Sequence, residues 1–325
     1  MTNPTTPSQF SPSNRFLQLA WDNTSLDVLK TCPRKYFYSM IEGYRTEQTP
    51  LTLSFGGLIH EAVEFTDRLV HSGVPKSEAV PQVIRQALAL GWDKLPLKGG
   101  PRTRLSLLIA AFEYVEAWAY EQTAQVVTLE NGKPALELSF TVDLGLCAES
   151  GERFSYCGHI DKVHLDTLGA HVVERKHTTS QLEESYIQRY RMSPQVSGYA
   201  FALKILSHIN TGGAFVEAFQ IGATFARIRR FAISRVPSQI DEWLSNTKQW
   251  IKSAERRAIE SAAAEDADVE PSYAWEMNET SCIHFGQPCE FFQICTKPAS
   301  ARANWLKDLY VRRRWNPLEL RGGDE

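Results

Sequence analysis

The hydrophobic and polar positions alternate along several stretches in the middle of the chain, and a period of two predicts β-strands. The predicted strands are 135–143, 156–165, 170–177, about 213–221 and about 223–233. A turn of the sequence Asp-Thr-Leu-Gly at 166–169 separates the second strand from the third, which makes these two a hairpin.

Apolar residues recur at intervals of three and four elsewhere in the chain, which predicts helices. The predicted helices are 24–44, 54–73, 76–92, 104–124, 186–207, about 237–264 and about 299–313. Pro33 predicts a break or a second helix start within the first of them, and Pro194 predicts a kink within the fifth. This order of elements predicts an α/β core with a mostly helical surround.

Composition narrows the classes of protein. The 325 residues, of which 43% are hydrophobic, can build one large domain or two smaller ones. A net charge of -3 argues against a globally basic nucleic-acid binder but allows a local basic groove. No apolar run approaches the ~20 residues that span a bilayer. The polar N-terminus lacks the apolar segment of a signal peptide. We therefore expect a cytoplasmic protein without a membrane partner, and a disordered tail over residues 1–20.

The hairpin brings two carboxylates and an amine together. Glu174 and Lys176 lie on one face of their strand and Arg175 on the other, while Asp161 on the preceding strand can lie beside Glu174. Two close carboxylates favour a divalent cation, and oxygen ligands favour Mg²⁺ or Mn²⁺. Such an ion can generate hydroxide and stabilise charge on a phosphoryl oxygen. Two strands joined by a surface salt bridge would give the same pattern, so this alternative stays open.

Six cysteines in a cytoplasmic chain predict metal ligands rather than disulfides. Cys282, Cys289 and Cys295 form a compact trio, and Cys32 is a distant candidate for a fourth ligand. Four thiolates suit an iron–sulfur cluster, whereas three thiolates with His284 suit structural zinc. Free cysteines packed as small hydrophobic residues are the ordinary alternative. The remaining two, at 147 and 157, lie on or near strands and are expected in the core.

Five motifs occur in an order that resembles a known family. They are the first-helix sequence 25–36, Gly56-x-x-x-His60, Asp161, Glu174-x-Lys176 and Gln195-x-x-x-Tyr199. Together they resemble the RecB-like branch of the PD-(D/E)xK nuclease superfamily over about residues 22–296. One early and three late cysteines are similar to the layout in CRISPR-associated RecB-like exonucleases.

The resemblance implies a fold and a domain layout. The fold would be a restriction-endonuclease-like mixed β-sheet core flanked by helices, with N- and C-terminal helical segments joined by a cysteine metal cluster. The nuclease domain would span 21–300, with a helical insertion at about 76–125 and the cysteine segment at about 275–296. Residues 301–325 would form a C-terminal helix and tail.

The resemblance also implies roles for the motif residues. His60, Asp161, Glu174 and the backbone carbonyl of Arg175 would bind Mg²⁺ or Mn²⁺, and Lys176 would orient or activate the water. Gln195 and Tyr199 would support the site or contact DNA. A 4Fe-4S cluster, with zinc as the alternative, would be held by Cys32, Cys282, Cys289 and Cys295.

Two features depart from the family pattern. Arg175 stands where this branch often has an apolar or aromatic residue, so we expect it at the solvent or DNA side of the sheet, or on an edge strand. Six residues separate Cys282 from Cys289 where two are usual, and this keeps zinc open as the alternative.

The resemblance implies a metal-dependent deoxyribonuclease, most simply an exonuclease on DNA ends or single strands, in recombination, repair or phage DNA processing. The alternative is a non-catalytic DNA-binding or scaffold subunit that keeps the fold and a structural zinc or iron–sulfur site. Phosphate contacts are expected from local basic residues, with Arg34, Lys35 and the run 312–314 as candidates.

Overall fold

The structure is a computed structural model that describes residues 8–47, 51–122, 124–167, 169–207, 213–284 and 286–319. In these residues the α-helices are, in chain order, α1 (Asn23–Thr31), α2 (Pro33–Tyr36), α3 (Leu51–His71), α4 (Lys76–Gly91), α5 (Arg104–Ala117), α6 (Glu184–Arg191), α7 (Pro194–Ser207), α8 (Pro237–Asp266), α9 (Phe292–Cys295) and α10 (Ala299–Leu309). The β-strands are β1 (Ala20–Trp21), β2 (Tyr44–Arg45), β3 (Gln125–Val126), β4 (Leu136–Cys147), β5 (Arg153–Asp166), β6 (Gly169–Thr178), β7 (Gly213–Ile221), β8 (Ala226–Ser234), β9 (Ile283–His284), β10 (Gln287–Pro288) and β11 (Val311–Arg312).

The chain divides into two compact units, each assembled from separated segments. Unit 1 comprises residues 1–48, 141–158 and 241–319, and unit 2 comprises 49–140, 159–240 and 320–325. The described residues of α3 to α7 and of β6 to β8 belong to unit 2, whereas the four cysteines of the predicted cluster belong to unit 1.

Unit 2 is built on a mixed sheet in which the strand order is β5, β6, β7, β8. β5 and β6 are antiparallel, with Lys162 opposite Val173, and β6 runs parallel to β7, with Glu174 opposite Val216. β8 is the last strand in this order and pairs antiparallel with β7. β6 and β7 therefore both have a strand on each side, which is the position where buried, apolar-rich sequences are expected.

Successive side chains of β7 point to opposite faces of the sheet. Apolar residues occur on both faces, so helices pack on both. On one face Phe219 lies in a core with Phe55 of α3 and Tyr114 of α5, the rings of Tyr114 and Phe219 being 5.7 Å apart. On the other face Ala218 packs against Tyr186 of α6. The sheet with its two helical layers confirms the predicted α/β class.

Unit 1 holds the first helices, and here the predicted helix 24–44 is interrupted. Cys32 ends α1 in an extended conformation, and Pro33 begins α2 at a position where its missing N–H has no cost. α2 continues into a π-helix at Phe37–Ile41. The ring centre of Tyr36, the last residue of α2, lies 5.5 Å from that of Trp21, on which it stacks, and 5.2 Å from that of Trp275. These contacts fix the junction between α2 and the π-helix to the core of this unit.

The predicted disordered tail is wrong over residues 10–20, while residues 1–7 lie outside the described residues. Phe16, Leu17 and Leu19 are buried, and a main-chain hydrogen bond joins Ser11 to Leu17 at 2.8 Å. β1 then pairs in parallel with residues 155–156 of β5. The Ser/Pro-rich start suggested disorder, but the apolar residues that follow it are buried in the core and order this segment.

Two local predictions also need correction. The predicted helix 186–207 is two helices, α6 and α7, because the chain breaks before Pro194 instead of kinking at it. Cys147 is exposed, whereas Cys157 is buried as expected. Within the described ranges, no helix combines the length and the apolar character that a bilayer crossing requires.

Candidate active site

His60 reaches the site from the middle of α3. Its Nδ1 lies 3.3 Å from Oδ1 of Asp161 and 3.9 Å from Oε1 of Glu137. Gly56, one turn before it, lies where an added Cβ would come within 2.4 Å of the ring of His177. The glycine of the Gly56-x-x-x-His60 motif thus lets α3 approach β6 closely enough to bring the imidazole to the carboxylates.

Glu137 is the site residue that the sequence analysis missed. It lies in β4 with φ of 48°, in the left-handed region that a residue with a Cβ rarely adopts, and it is buried. The only sequence signal was an acidic residue within the apolar start of the predicted strand 135–143. Strained backbone of this kind is held in place by its surroundings and often marks a functional position.

Three side chains form a compact set of ligand atoms. One atom each from His60, Glu137 and Asp161 lies within 4.8 Å of the others. Glu174 is not in this set, but it is buried nearby and its Oε2, like Oε1 of Glu137, has no hydrogen-bond partner among the described residues. Two carboxylates, an imidazole and buried unsatisfied oxygens are a donor set that fits Mg²⁺ or Mn²⁺.

Lys176 is held between an acid and an amide. Its ammonium pairs with Oε1 of Glu174 and donates to Oε1 of Gln195 at 2.9 Å. Gln195 in turn donates to the hydroxyl of Tyr199 at 3.1 Å, one turn further along α7. The ring of Tyr199 meets Phe140 edge-on at 5.8 Å. The structure therefore brings the predicted supporting pair to the lysine, with its position fixed by packing.

The charges of the site act on one another strongly. Burial lowers the pKa of His60, but the carboxylates of Asp161 and Glu137 outweigh it and raise that pKa to about 10. Burial raises the pKa of Asp161, but the neighbouring cations, His60 first among them, bring it to about 2. Burial raises the pKa of Glu174 to about 7 in spite of the Lys176 charge. His60 and Asp161 therefore stabilise each other's charged forms.

Comparison with known proteins agrees with this geometry. The family profile of the PD-(D/E)XK nuclease superfamily matches residues 21–296. The chain belongs to this superfamily. The restriction-endonuclease-like fold expected of it is the mixed sheet with helices on both faces.

Other comparisons add less. A crystal structure of a candidate exonuclease from Eubacterium rectale is similar over 92% of this chain and 99% of its own, with 12% sequence identity and a TM-score of 0.41. A likeness of that size has no bearing on what the chain does. No curated protein matches the sequence.

The location of Arg175 differs from the one predicted from the sequence. It is 1% exposed on β6, an interior strand, so it lies neither at the solvent side of the sheet nor on an edge. It forms ion pairs with Asp67 of α3 and with Glu217 of β7. Lys162 joins the same network through Asp67 at 3.2 Å. The atypical arginine is therefore stabilised by counter-charges that come from other elements.

The cysteine segment approaches α1 and α2 within unit 1. The main-chain N–H of Asn278 donates to Sγ of Cys32 at 3.4 Å. The β9–β10 hairpin lies between Cys282 and Cys289 and brings the amide of Cys289 to the carbonyl of Cys282 at 2.8 Å. The unusual spacing of six is therefore a hairpin insertion that leaves the two cysteines adjacent.

The thiols influence one another without forming a compact set. Burial raises the pKa of Cys282, and the nearby Cys289 and Cys32 raise it further. Burial also raises the pKa of Cys295 to about 11, against the opposite effect of Arg34. At the 4.8 Å spacing that joins the His60 set, the described part of the chain shows no corresponding group of thiols.

Proposed function

We propose that this superfamily member is a metal-dependent deoxyribonuclease of the RecB-like branch, acting as an exonuclease on DNA. The observation that carries the proposal is the set of His60, Glu137 and Asp161 beside the Glu174–Lys176 pair. Hydrolysis of a phosphodiester requires a positioned water and neutralisation of charge on the phosphate. The membership in a nuclease superfamily supports DNA as the polymer. DNA recombination, repair or phage DNA processing would be its setting.

The acidic residues and the histidine would hold one Mg²⁺ or Mn²⁺. His60, Glu137 and Asp161 supply three donors, with Glu174 and the Arg175 carbonyl as further ligands. Bound there, the ion would polarise a phosphate oxygen and lower the pKa of a coordinated water. His60 would bind as the neutral imidazole, so its proton leaves when a cation occupies the set.

Lys176 would act on the water and the phosphate. Its ammonium is fixed on one side by Glu174 and on the other by Gln195, so it points at a defined place without the entropy of a free lysine. Burial lowers the pKa of Lys176, but the Glu174 carboxylate outweighs it and raises the pKa above its usual value, so the group stays charged. A charged lysine fits orientation and charge stabilisation better than proton abstraction.

The test uses linear, end-blocked and circular DNA, each labelled, with Mg²⁺, Mn²⁺ or EDTA. We expect metal-dependent loss of the linear substrate only, and no cleavage by Lys176→Ala. Lys204→Ala is the matched control, because Lys204 is an exposed lysine on the same helix as Gln195. Cleavage of circles would exclude an exonuclease. Equal cleavage by wild type and Lys176→Ala would exclude the mechanism, and no cleavage by either protein would favour the scaffold alternative.

We also propose that Cys32, Cys282, Cys289 and Cys295 bind one metal centre, a 4Fe-4S cluster. A single zinc ion needs thiols at bond lengths of about 2.3 Å from one point, whereas a cluster of four irons accommodates more widely spaced thiols. Arg34 is buried and partly offsets the effect of burial, which raises the pKa of Cys295 to about 11. All six cysteines are free thiols, which fits a reducing compartment such as the cytoplasm.

Anaerobic purification distinguishes the centres. A cluster gives broad absorption near roughly 400 nm and about four irons per chain, and zinc gives one ion without colour. Cys32→Ala should remove the metal, whereas Cys147→Ala, which changes an exposed cysteine outside the segment, should retain it. Metal-free protein from an anaerobic preparation would exclude both centres.

A further inference from the structure

The β7–β8 hairpin and the chain after it are unusually basic. Residues 222–240 contain four arginines and no acidic residue, in a chain whose net charge is -3. Arg230 and Arg235 are structural: Arg230 pairs with Glu217, and Arg235 is buried with its Nε donating to Ser197. The other two, Arg227 and Arg229, are exposed.

Sheet register places both exposed arginines on the catalytic face. Lys176 of β6 lies opposite Ala218 of β7, and Ala218 lies opposite Arg229 of β8. The next row on that face ends in Arg227. Because strands lie about 4.8 Å apart, the backbone of Arg229 is about 10 Å from that of Lys176. Tyr186 of α6 covers Ala218 between the two, so a strand bound at the arginines would pass around this helix to reach Lys176.

Each exposed arginine lies over an aromatic ring. The guanidinium of Arg227 is 5.1 Å from the centre of Phe225, and that of Arg229 is 5.2 Å from Phe231. Phe225 is 41% exposed, and its ring covers Gly222, where an added Cβ would come within 2.3 Å. The turn therefore displays an aromatic face held in place beside positive charge.

No carboxylate is recorded within salt-bridge distance of Arg227 or Arg229 among the described residues. Arg229 donates one hydrogen bond, from Nη1 to the carbonyl of Leu182 at 2.7 Å. This bond fixes the direction of the guanidinium and leaves its other N–H groups available to a ligand. Arginines that are oriented but not neutralised are suited to phosphate oxygens.

We propose that Phe225, Arg227 and Arg229, here called the arginine–aromatic strip, bind single-stranded DNA and lead it to Lys176. Phe231, which packs against Leu182 and Tyr186, supports the guanidinium of Arg229 from below. The arginines take the phosphates, and the exposed Phe225 ring takes a base. Base stacking on an aromatic side chain requires an unstacked base, which a single strand has and a duplex lacks. This inference rests on the proposed nuclease function, but its test does not depend on cleavage.

Binding is measured by fluorescence anisotropy with labelled single-stranded oligothymidylate and a duplex of equal length, in EDTA. We expect wild type to prefer the single strand. Phe225→Ala should weaken single-strand binding about tenfold and leave duplex binding nearly unchanged, since stacking contributes about 1–3 kcal/mol per base. Phe112→Ala, which removes a similarly exposed phenylalanine of α5, is the control.

The arginine test uses the salt dependence of binding. Removing two phosphate contacts should lower the slope of log Kd against log salt by about 1.4, that is, about 0.7 for each contact with a single strand. The variant is Arg227→Ala/Arg229→Ala, with Arg227→Gln/Arg229→Gln as a second variant if the first melts early. The control, Arg85→Ala/Arg256→Ala, removes the same charge from exposed positions elsewhere.

Three outcomes would overturn the proposal: equal affinity for duplex and single strand, an unchanged salt slope, or the same loss in the control. A small activated phosphodiester, bis-p-nitrophenyl phosphate, separates this result from the nuclease proposal. If the nuclease proposal holds, wild type should hydrolyse it in a metal-dependent way, and this result does not depend on the strip, because so small a substrate does not reach it. If wild type fails on it while the binding results hold, the strip is retained and the nuclease proposal is lost.

Discussion

The carboxylate of Asp161 accepts a hydrogen bond from the main-chain N–H of Arg175 at 2.6 Å. The regular pairing of β5 with β6 starts at the next residue, with Lys162 opposite Val173. The other oxygen of Asp161 lies 3.3 Å from His60. One side chain therefore takes the place of a ladder hydrogen bond between the strands and also faces the candidate metal ligands.

Asp161→Asn separates these two tasks. The amide oxygen can still accept the Arg175 N–H, so we expect the contact between the strands to be kept, while the lost attraction between the Asp161 charge and His60 lowers stability at pH 7. The lost charge weakens a metal ligand, so we expect activity to fall about a hundredfold, which corresponds to about 3 kcal/mol of transition-state stabilisation. Calorimetry of Mn²⁺ binding with DNA cleavage checks this. Wild-type metal affinity in the variant would contradict the assignment.

Lys176→Met tests the pairing with Glu174. The variant leaves a buried carboxyl without its cation, and since its pKa is already about 7 the group can take up a proton, so we expect a loss of about 1–3 kcal/mol as well as inactivity. Adding Glu174→Gln removes the unpaired charge and should restore much of the stability but none of the activity. Denaturant unfolding of both variants, beside Lys204→Ala, measures the difference. If the double variant were as unstable as Lys176→Met, the ion pair would not be the cause.

Glu137 allows ligation and backbone strain to be separated. Glycine adopts a φ of 48° readily, whereas alanine costs about 1–2 kcal/mol there. Glu137→Gly should therefore be more stable than Glu137→Ala by about that amount, measured without metal. Both variants lack the carboxylate and should bind Mn²⁺ equally weakly. Equal stability of the two would show that the conformation carries no strain, and wild-type Mn²⁺ affinity in either would remove Glu137 from the ligand set.

Glu217 links the buried network to acid stability. Burial would raise its pKa, but Lys162, Arg175 and Arg230 outweigh burial and hold it well below the usual range. A depressed pKa contributes stability above the unfolded-state value of about 4.3, and this contribution is lost as pH falls. Glu217→Gln should be less stable at pH 7 and should lose less stability than wild type between pH 6 and pH 3.

Unfolding by urea at several pH values measures this slope. Glu61→Gln, at an exposed position of α3, is the control and should follow wild type at each pH. A Glu217→Gln variant with the slope of wild type would show that the network does not depend on that charge.

The sequence by itself determined the elements and one face of the site. The strand predicted at 213–221 is β7 with the same bounds, and the hairpin predicted to place Glu174 and Lys176 on one face is β5 with β6. These features follow from alternation and turn residues, which act between neighbours in the chain.

Only the tertiary structure decided which charged residues are buried and which partners they have. Arg175 is buried because Asp67, 108 positions before it, and Glu217 of the next strand meet its guanidinium. Glu137 faces His60 because its backbone takes a conformation that no local pattern encodes. Charge pairs between distant positions depend on which elements pack together, because a buried ion is stable only where its partner arrives with it. The period of a sequence describes one element at a time and carries no information about that partner.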